Sequence, residues 1–128
     1  MNYHFSKTVD YNFEEAIVRV TEELNKEGFG IITEIDIKKV LKEKLNKDFR
    51  QYIIIGACNP SIAYSAIMAE DKIGTLMPCN IVVQEHLNGD IEVSAVDPVS
   101  YLLAFRSEEL SKILSDVREK LQDIIHNL

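Results

Sequence analysis

Two cysteines give this chain its clearest chemical signal. Cys58 and Cys79 are the only cysteines among its 128 residues. Each is followed by an asparagine and has a proline within two residues, in the short motifs Cys58-Asn59-Pro60 and Pro78-Cys79-Asn80. Such similar settings indicate a shared role, so residues 56–80 are where the sequence predicts a site.

The first chemistry open to these residues is the binding of a soft metal or a small ligand. Thiolates suit zinc and copper(I), and such a site could be completed by Asn59, Asn80, Asp36 or His86. Cys58 precedes a predicted helix, whose free N–H groups stabilise a thiolate. Zinc sites usually contain closely spaced ligand pairs, whereas twenty residues separate these two cysteines.

Two other interpretations stay open. In a thiol-dependent redox protein or enzyme, one cysteine attacks and the other resolves. That reaction needs Cα atoms about 4.4–6.8 Å apart, and the chain has no Cys-x-x-Cys motif. In a non-catalytic assembly module, the cysteines pack as small apolar side chains, Asn59 caps a helix and Asn80 bonds to the backbone. Such a module would dimerise through a strand edge or a helix face.

The sequence assigns no side chain a catalytic role, so enzyme activity stays undecided. His4, His86 and His126 show no nucleophile-and-base context, and the five glycines fit neither a P-loop nor a dinucleotide fingerprint. Lys72 is the only lysine or arginine between residues 51 and 105. This segment therefore offers too few basic side chains to bind a phosphate group.

Length and charge limit the class of protein. A chain of 128 residues predicts a single domain, here taken as residues 1–128. The net charge of −7 argues against nucleic acid and against anionic membrane surfaces as partners. The first residues lack the pattern of a signal peptide and no segment is apolar enough to span a membrane. We therefore expect a cytoplasmic protein, whose compartment keeps thiols reduced.

Periodicity predicts alternating strands and helices. Strands are predicted at residues 3–9, 29–35 and 51–57, and at 80–86 and 91–96, which Asn88-Gly89 joins as a hairpin. The run at 51–57 does not alternate, which indicates a central strand buried on both faces. Asn12, Asp36, Asn59 and Ser107 stand where helix caps belong. The last helix carries the longest apolar stripe, and residues 99–105 stay ambiguous. The pattern is α+β, with a mostly antiparallel sheet.

Four segments resemble a known family. They are 27–36 (EGFGIITEID), 56–60 (GACNP), 76–83 (LMPCNIVV) and the Asp97-Pro98 that ends the hairpin. Together they resemble the domain-of-unknown-function family 302, whose fold is called TT1751-like. The resemblance implies a TBP-like β-α-β(4)-α architecture, in which a curved sheet is backed by a long C-terminal helix, here with additional short helices. It implies no DNA binding, because function belongs to sites and not to folds.

The sequence thus predicts a small cytoplasmic α+β protein that forms a homodimer. It is expected to bind a small molecule or a soft metal, with zinc or copper as the candidates, near the two Cys-Asn motifs. The predicted ligand-binding residues are Cys58, Asn59, Cys79, Asn80 and Asp36, and the predicted metal ligands are Cys58 and Cys79. A thiol-dependent redox protein or enzyme is the alternative, and a dimeric assembly module is the third interpretation.

Overall fold

The chain folds into a five-stranded sheet and four helices, described here from a computed structural model that covers residues 2–104 and 107–128. The strands are β1 (His4–Val9), β2 (Gly30–Asp36), β3 (Tyr52–Cys58), β4 (Cys79–Glu85) and β5 (Ile91–Val96). The helices are α1 (Phe13–Lys26), α2 (Ile37–Leu45), α3 (Pro60–Ala69) and α4 (Glu108–His126). Two short 3-10 helices follow α3 and β5, at Ile73–Leu76 and Pro98–Ala104. Of the ambiguous stretch 99–105, Phe105 lies outside the described residues.

The strands lie in the order β1-β5-β4-β3-β2, and every neighbouring pair is antiparallel. This sheet, with α4 as the longest helix, confirms the predicted α+β class. No helix of the described part of the chain is long and apolar enough to cross a lipid bilayer.

The hydrophobic core lies on one face of the sheet. Alternate residues of β3, β4 and β5 point into it and meet the buried stripes of α1 and α4; the largest are Leu24, Ile55, Ile81, Leu121 and Ile124. The prediction that β3 lies inside the sheet is confirmed, because it pairs with both β2 and β4, whereas the prediction that it is buried on both faces is wrong. β3 lies next to the edge strand β2, and its residues alternate between buried Ile53 and Ile55 and half-buried Tyr52 and Ile54.

The predicted helix caps are confirmed. The side chains of Asn12, Asp36, Asn59 and Ser107 each accept a hydrogen bond from the backbone N–H three residues further on. These bonds satisfy N–H groups that have no partner inside the helix, which is why such residues are favoured there. Each cap therefore determines the residue at which its helix begins.

The β4–β5 hairpin is confirmed, but its turn differs from the expected two-residue form. Both central residues of that form need positive φ, whereas here Gly89 alone has positive φ, at 92°. The His86 N–H donates to the Asp90 carbonyl, and the Gly89 N–H donates to the His86 carbonyl. The loop therefore has three residues between its closing pair and places only the glycine in the left-handed region.

Candidate functional site

One small cavity lies at the end of the sheet where both cysteines are found. Its walls are the ends of β3 and β4, the inner face of α3, the two 3-10 helices and one side of α4. Its volume is about 50 Å³. Apolar side chains form most of the lining, among them Phe29, Ile62, Ala66, Leu114 and Val117. None of the sixteen described residues that line it is an Asp, Glu, Lys, Arg or His.

The structure brings the two cysteines together. Cys79 lies opposite Ala57 in the β3–β4 register, and Cys58 is the next residue along β3. Both cysteines are free and half-buried, and both line the cavity. The twenty residues between them in sequence are spanned by α3, the first 3-10 helix and Pro78.

Burial keeps the Cys79 thiol neutral at ordinary pH. Removal from water, and secondarily the negative charge that Cys58 carries when ionised, raises the pKa of Cys79 from 9.0 to about 11. The same two kinds of cause act on Tyr101, whose pKa is raised by burial and then by the charge of an ionised Cys79. Nucleophilic attack and metal coordination both need the thiolate, so Cys79 is poorly prepared for either.

Asn59 is held by the protein on both sides of its amide. Its Oδ1 accepts from the Ile62 N–H at 3.3 Å, and its Nδ2 donates to the Glu27 carbonyl at 3.3 Å. Gly28 makes this approach possible, because a Cβ there would lie 3.0 Å from Asn59 Nδ2 and its φ is 84°. Asn59 therefore fixes the start of α3 over the cavity.

Gly56 lets two neighbouring segments close over β3, on the opposite face of the sheet. A Cβ at Gly56 would clash with Thr33 Oγ1 and lie 2.7 Å from Pro78 Cγ. Pro78 follows a cis peptide bond after Met77 and directly precedes Cys79. Gly56 of the GACNP motif therefore leaves the space that Pro78, the residue before Cys79, occupies against β3.

Asp97 anchors the turn that brings Tyr101 to the cavity. Its buried carboxylate accepts from the Val99 N–H at 3.0 Å and from Arg118 Nε of α4 at 3.3 Å. The turn places Pro98 and Tyr101 in the cavity lining. Tyr101 was not among the predicted site residues, because residues 99–105 have no clear periodicity. The signal that could have found it is Asp97-Pro98, which predicts the end of β5 and a turn towards α4.

Two predicted site residues lie outside the cavity. Asp36 caps α2, where its Oδ1 accepts from the Lys39 N–H, and it pairs with Ile53 at the other end of β3. Asn80 pairs with Gly56 and lines a separate pocket on the opposite face of the sheet, with Val82 and Ser94. Successive residues of a strand point to opposite faces, so Cys79 and Asn80 cannot serve one pocket.

Among the described residues that line the cavity, a soft metal would find the thiols of Cys58 and Cys79 and the thioether of Met77. Within the described residues, no group of three or more His, Cys, Asp and Glu side chains is placed to hold a metal ion. Zinc takes four ligands in structural sites and three protein ligands in catalytic ones. Copper(I) would suit two thiolates, but the Cys79 proton would first have to leave.

These features define a small α+β domain whose antiparallel sheet and long helix border a thiol-lined cavity, with no charged side chain among the described residues of its lining. The chain belongs to the family described as domain of unknown function DUF302, whose model matches residues 5–128. It is similar in structure to an uncharacterized conserved DUF302 protein from Bacillus stearothermophilus, with a TM-score of 0.90 and 26% sequence identity over 98% of both chains. No curated protein matches the chain.

Proposed function

We propose that this protein binds a small, uncharged and largely apolar molecule in the cavity beneath α3. The observation that carries the proposal is the lining, which contains apolar side chains together with two thiols, one amide and one phenol. An ion would lose its hydration there without gaining an opposite charge, which is costly. An apolar molecule has no such hydration to lose, and the transfer of its surface out of water is favourable.

The volume limits the size of the ligand. A cavity needs roughly 10–15 Å³ to hold one water molecule, so about 50 Å³ suits a molecule of a few non-hydrogen atoms. Apolar cavities in proteins stay dry and accept atoms such as xenon. Polarizable sulfur from Cys58 and Cys79 adds to the dispersion contacts that such a guest makes.

Dissolved xenon is a suitable probe of this cavity. We expect it to shift amide and methyl NMR resonances of Ala57, Ala66 and Val117 in a saturable manner. Ala63→Leu, which fills the space from α3, should abolish the saturable shifts. Ser65→Leu, on the exposed side of the same helix, should leave them intact. Shifts that stay linear in xenon pressure, or that survive Ala63→Leu, would contradict the proposal.

A two-thiol redox reaction is the second candidate function. It is favoured by one observation, which is that the free thiols of Cys58 and Cys79 line the same cavity. In this reaction both thiols lose a proton, one disulfide bond forms and two electrons pass to an oxidant such as oxidised glutathione. The high pKa of Cys79 slows the step at neutral pH.

Oxidised glutathione in a defined ratio tests this candidate directly. Redox function predicts a mass loss of about 2 Da per chain and a peptide that joins residues 58 and 79, formed within minutes at pH 7.5. Thiols that remain free after hours would exclude it.

Elemental analysis of untagged protein, beside the Cys58→Ser, Cys79→Ser double variant, tests the metal alternative. Stoichiometric copper or zinc in the wild type, absent from the double variant, would show that the two cysteines bind a metal and would contradict the apolar ligand.

A further inference from the structure

The outer face of α3 carries large apolar side chains in contact with solvent. Tyr64 is 69% exposed, Ile67 is 44% exposed and Met68 is 70% exposed. Helical spacing predicts that Ile67 belongs to the buried stripe of α3, and this prediction is wrong. The inner positions Ile62, Ala63 and Ala66 face the cavity instead, and Ile67 is turned towards solvent.

These exposed side chains form one stripe. Pro60, Tyr64, Ile67 and Met68 recur at intervals of four, three and one, which places them along one face of a helix. Isolated apolar residues on a surface are ordinary, whereas a contiguous apolar patch marks an interaction site. Tyrosine and methionine are also enriched at protein interfaces. We call this stripe the α3 outer face.

The α3 outer face is free of charge in a strongly charged chain. No Asp, Glu, Lys, Arg or His occurs from residue 51 to residue 69, while the chain as a whole carries a net charge of −7. Two copies of an acidic protein repel each other wherever their acidic surfaces meet. A charge-free helix face is a surface on which they can approach without that cost.

Charge at the two ends of α3 also suits a second copy. Glu70 and Asp71 follow the C-terminal end of the helix. Asp71 forms an ion pair with Lys72 at 3.1 Å, whereas Glu70 accepts a hydrogen bond from the uncharged Lys72 backbone N–H at 3.2 Å and keeps its charge. In an antiparallel pair of α3 helices, the Glu70 carboxylate comes next to the partner's helix N-terminus, where the dipole is positive. The same contact is made twice, because a two-fold axis relates the copies.

We propose that the protein forms a symmetric dimer in which the α3 outer faces of two copies pack antiparallel. Tyr64, near the middle of the helix, lies closest to the two-fold axis. The inner face of the same helix keeps its place over the cavity, so the dimer covers the outside of the cavity wall. This inference does not depend on any ligand of the cavity.

Sedimentation equilibrium of the full chain tests the proposal. The wild-type protein should associate to a dimer over a concentration range of about 1 µM to 1 mM. Met68→Lys should weaken the dimer at least about tenfold, because it places a charge on each side of the apolar contact. Its far-ultraviolet circular dichroism and thermal midpoint should match the wild type at a concentration where both are monomeric.

Leu87→Lys provides the matched control. Leu87 is fully exposed beside the β4–β5 turn, far from α3 in the chain, and its substitution introduces the same charge. The variant should leave the dimer unchanged. A wild-type chain that is monomeric throughout the range, or a Met68→Lys dimer as strong as wild type, would overturn the proposal.

The antiparallel arrangement has a test of its own. Glu70→Lys replaces an attractive contact with a repulsive one at both ends of the helix pair, so the dissociation constant should rise by about fivefold or more at low salt. Addition of salt should reduce this difference, because exposed charges are screened. A Glu70→Lys dimer with unchanged affinity would contradict the antiparallel packing.

Discussion

Cys58 ends β3 and Cys79 begins β4, and both line the cavity at that end of the sheet. The antiparallel register sets Ala57, the residue before Cys58, opposite Cys79, so the two cysteines lie at the same end of neighbouring strands. The pairing of β3 with β4 therefore brings both cysteines to one cavity, and the chemistry available to them follows from their burial.

Alkylation of Cys79 should be slow and strongly dependent on pH. With a pKa of about 11, about one Cys79 in a thousand is ionised at pH 8. The rate with iodoacetamide should rise about tenfold per pH unit up to about pH 10, as followed by peptide mass spectrometry. In Cys58→Ser, the second cause of the raised pKa is absent, so the rise should begin at lower pH. A rate that levels off near pH 8 would show that Cys79 is an activated thiol.

The free energy of unfolding should fall in alkali because of the same thiol. Below pH 9 the folded and the unfolded chain both keep the Cys79 proton. Between pH 9 and about 11, the unfolded chain alone ionises, so stability is lost as pH rises, by up to about 2–3 kcal/mol. Urea unfolding at pH 8, 9.5 and 10.5 measures this loss. Cys79→Ala should lose less stability than wild type over that range, and an equal loss in both would refute the assignment to Cys79.

Gly56→Ala should destabilise the fold by about 1–3 kcal/mol. The new methyl group would collide with Thr33 Oγ1 and Pro78 Cγ, both of which belong to packed neighbouring segments. Gly30→Ala is the matched control, because Gly30 is also a strand residue and a Cβ there would meet no atom within 4 Å. Chemical denaturation should show a lower midpoint for Gly56→Ala alone. Equal midpoints would mean that the strands can separate without cost.

Asp97→Ala should cost about 2–3 kcal/mol of unfolding free energy. The variant leaves the Val99 N–H and the Arg118 guanidinium without their acceptor in a part-buried place. Asp48→Ala removes an exposed partner of Lys42 and should change stability by less than about 0.5 kcal/mol. Loss of the Asp97 turn should also alter the resonances of Tyr101. A variant with wild-type stability would show that this turn does not depend on Asp97.

Features decided by neighbours in the chain could be predicted from the sequence. Asn12, Asp36, Asn59 and Ser107 cap helices because each side chain bonds a backbone group three residues away. The hairpin was predicted because Gly89 supplies a conformation that other residues avoid. The two-residue turn was wrong, since loop length depends on how the strands on either side pair.

Features decided by the sheet could not be predicted in the same way. Whether the face of Tyr52 and Ile54 is covered depends on where the helices pack. A run of isoleucines is compatible both with a strand buried on one face and with a strand buried on two. Asp36 and Asn80 looked equivalent to Asn59 as polar residues near strand ends. The register places Asp36 at the far end of β3 and Asn80 on the opposite face.

By itself the sequence determined the α+β class, the helix starts, the long apolar stripe of α4 and the two cysteine motifs, because these depend on local conformation and on periodicity. Tertiary structure alone decided that the sulfurs share a cavity, that Tyr101 joins them and that the lining residues the structure describes carry no charge. It also decided that one face of α3 is left in solvent. The physical reason is that strand register and helix placement are set by contacts between residues far apart in the chain, which no local pattern encodes.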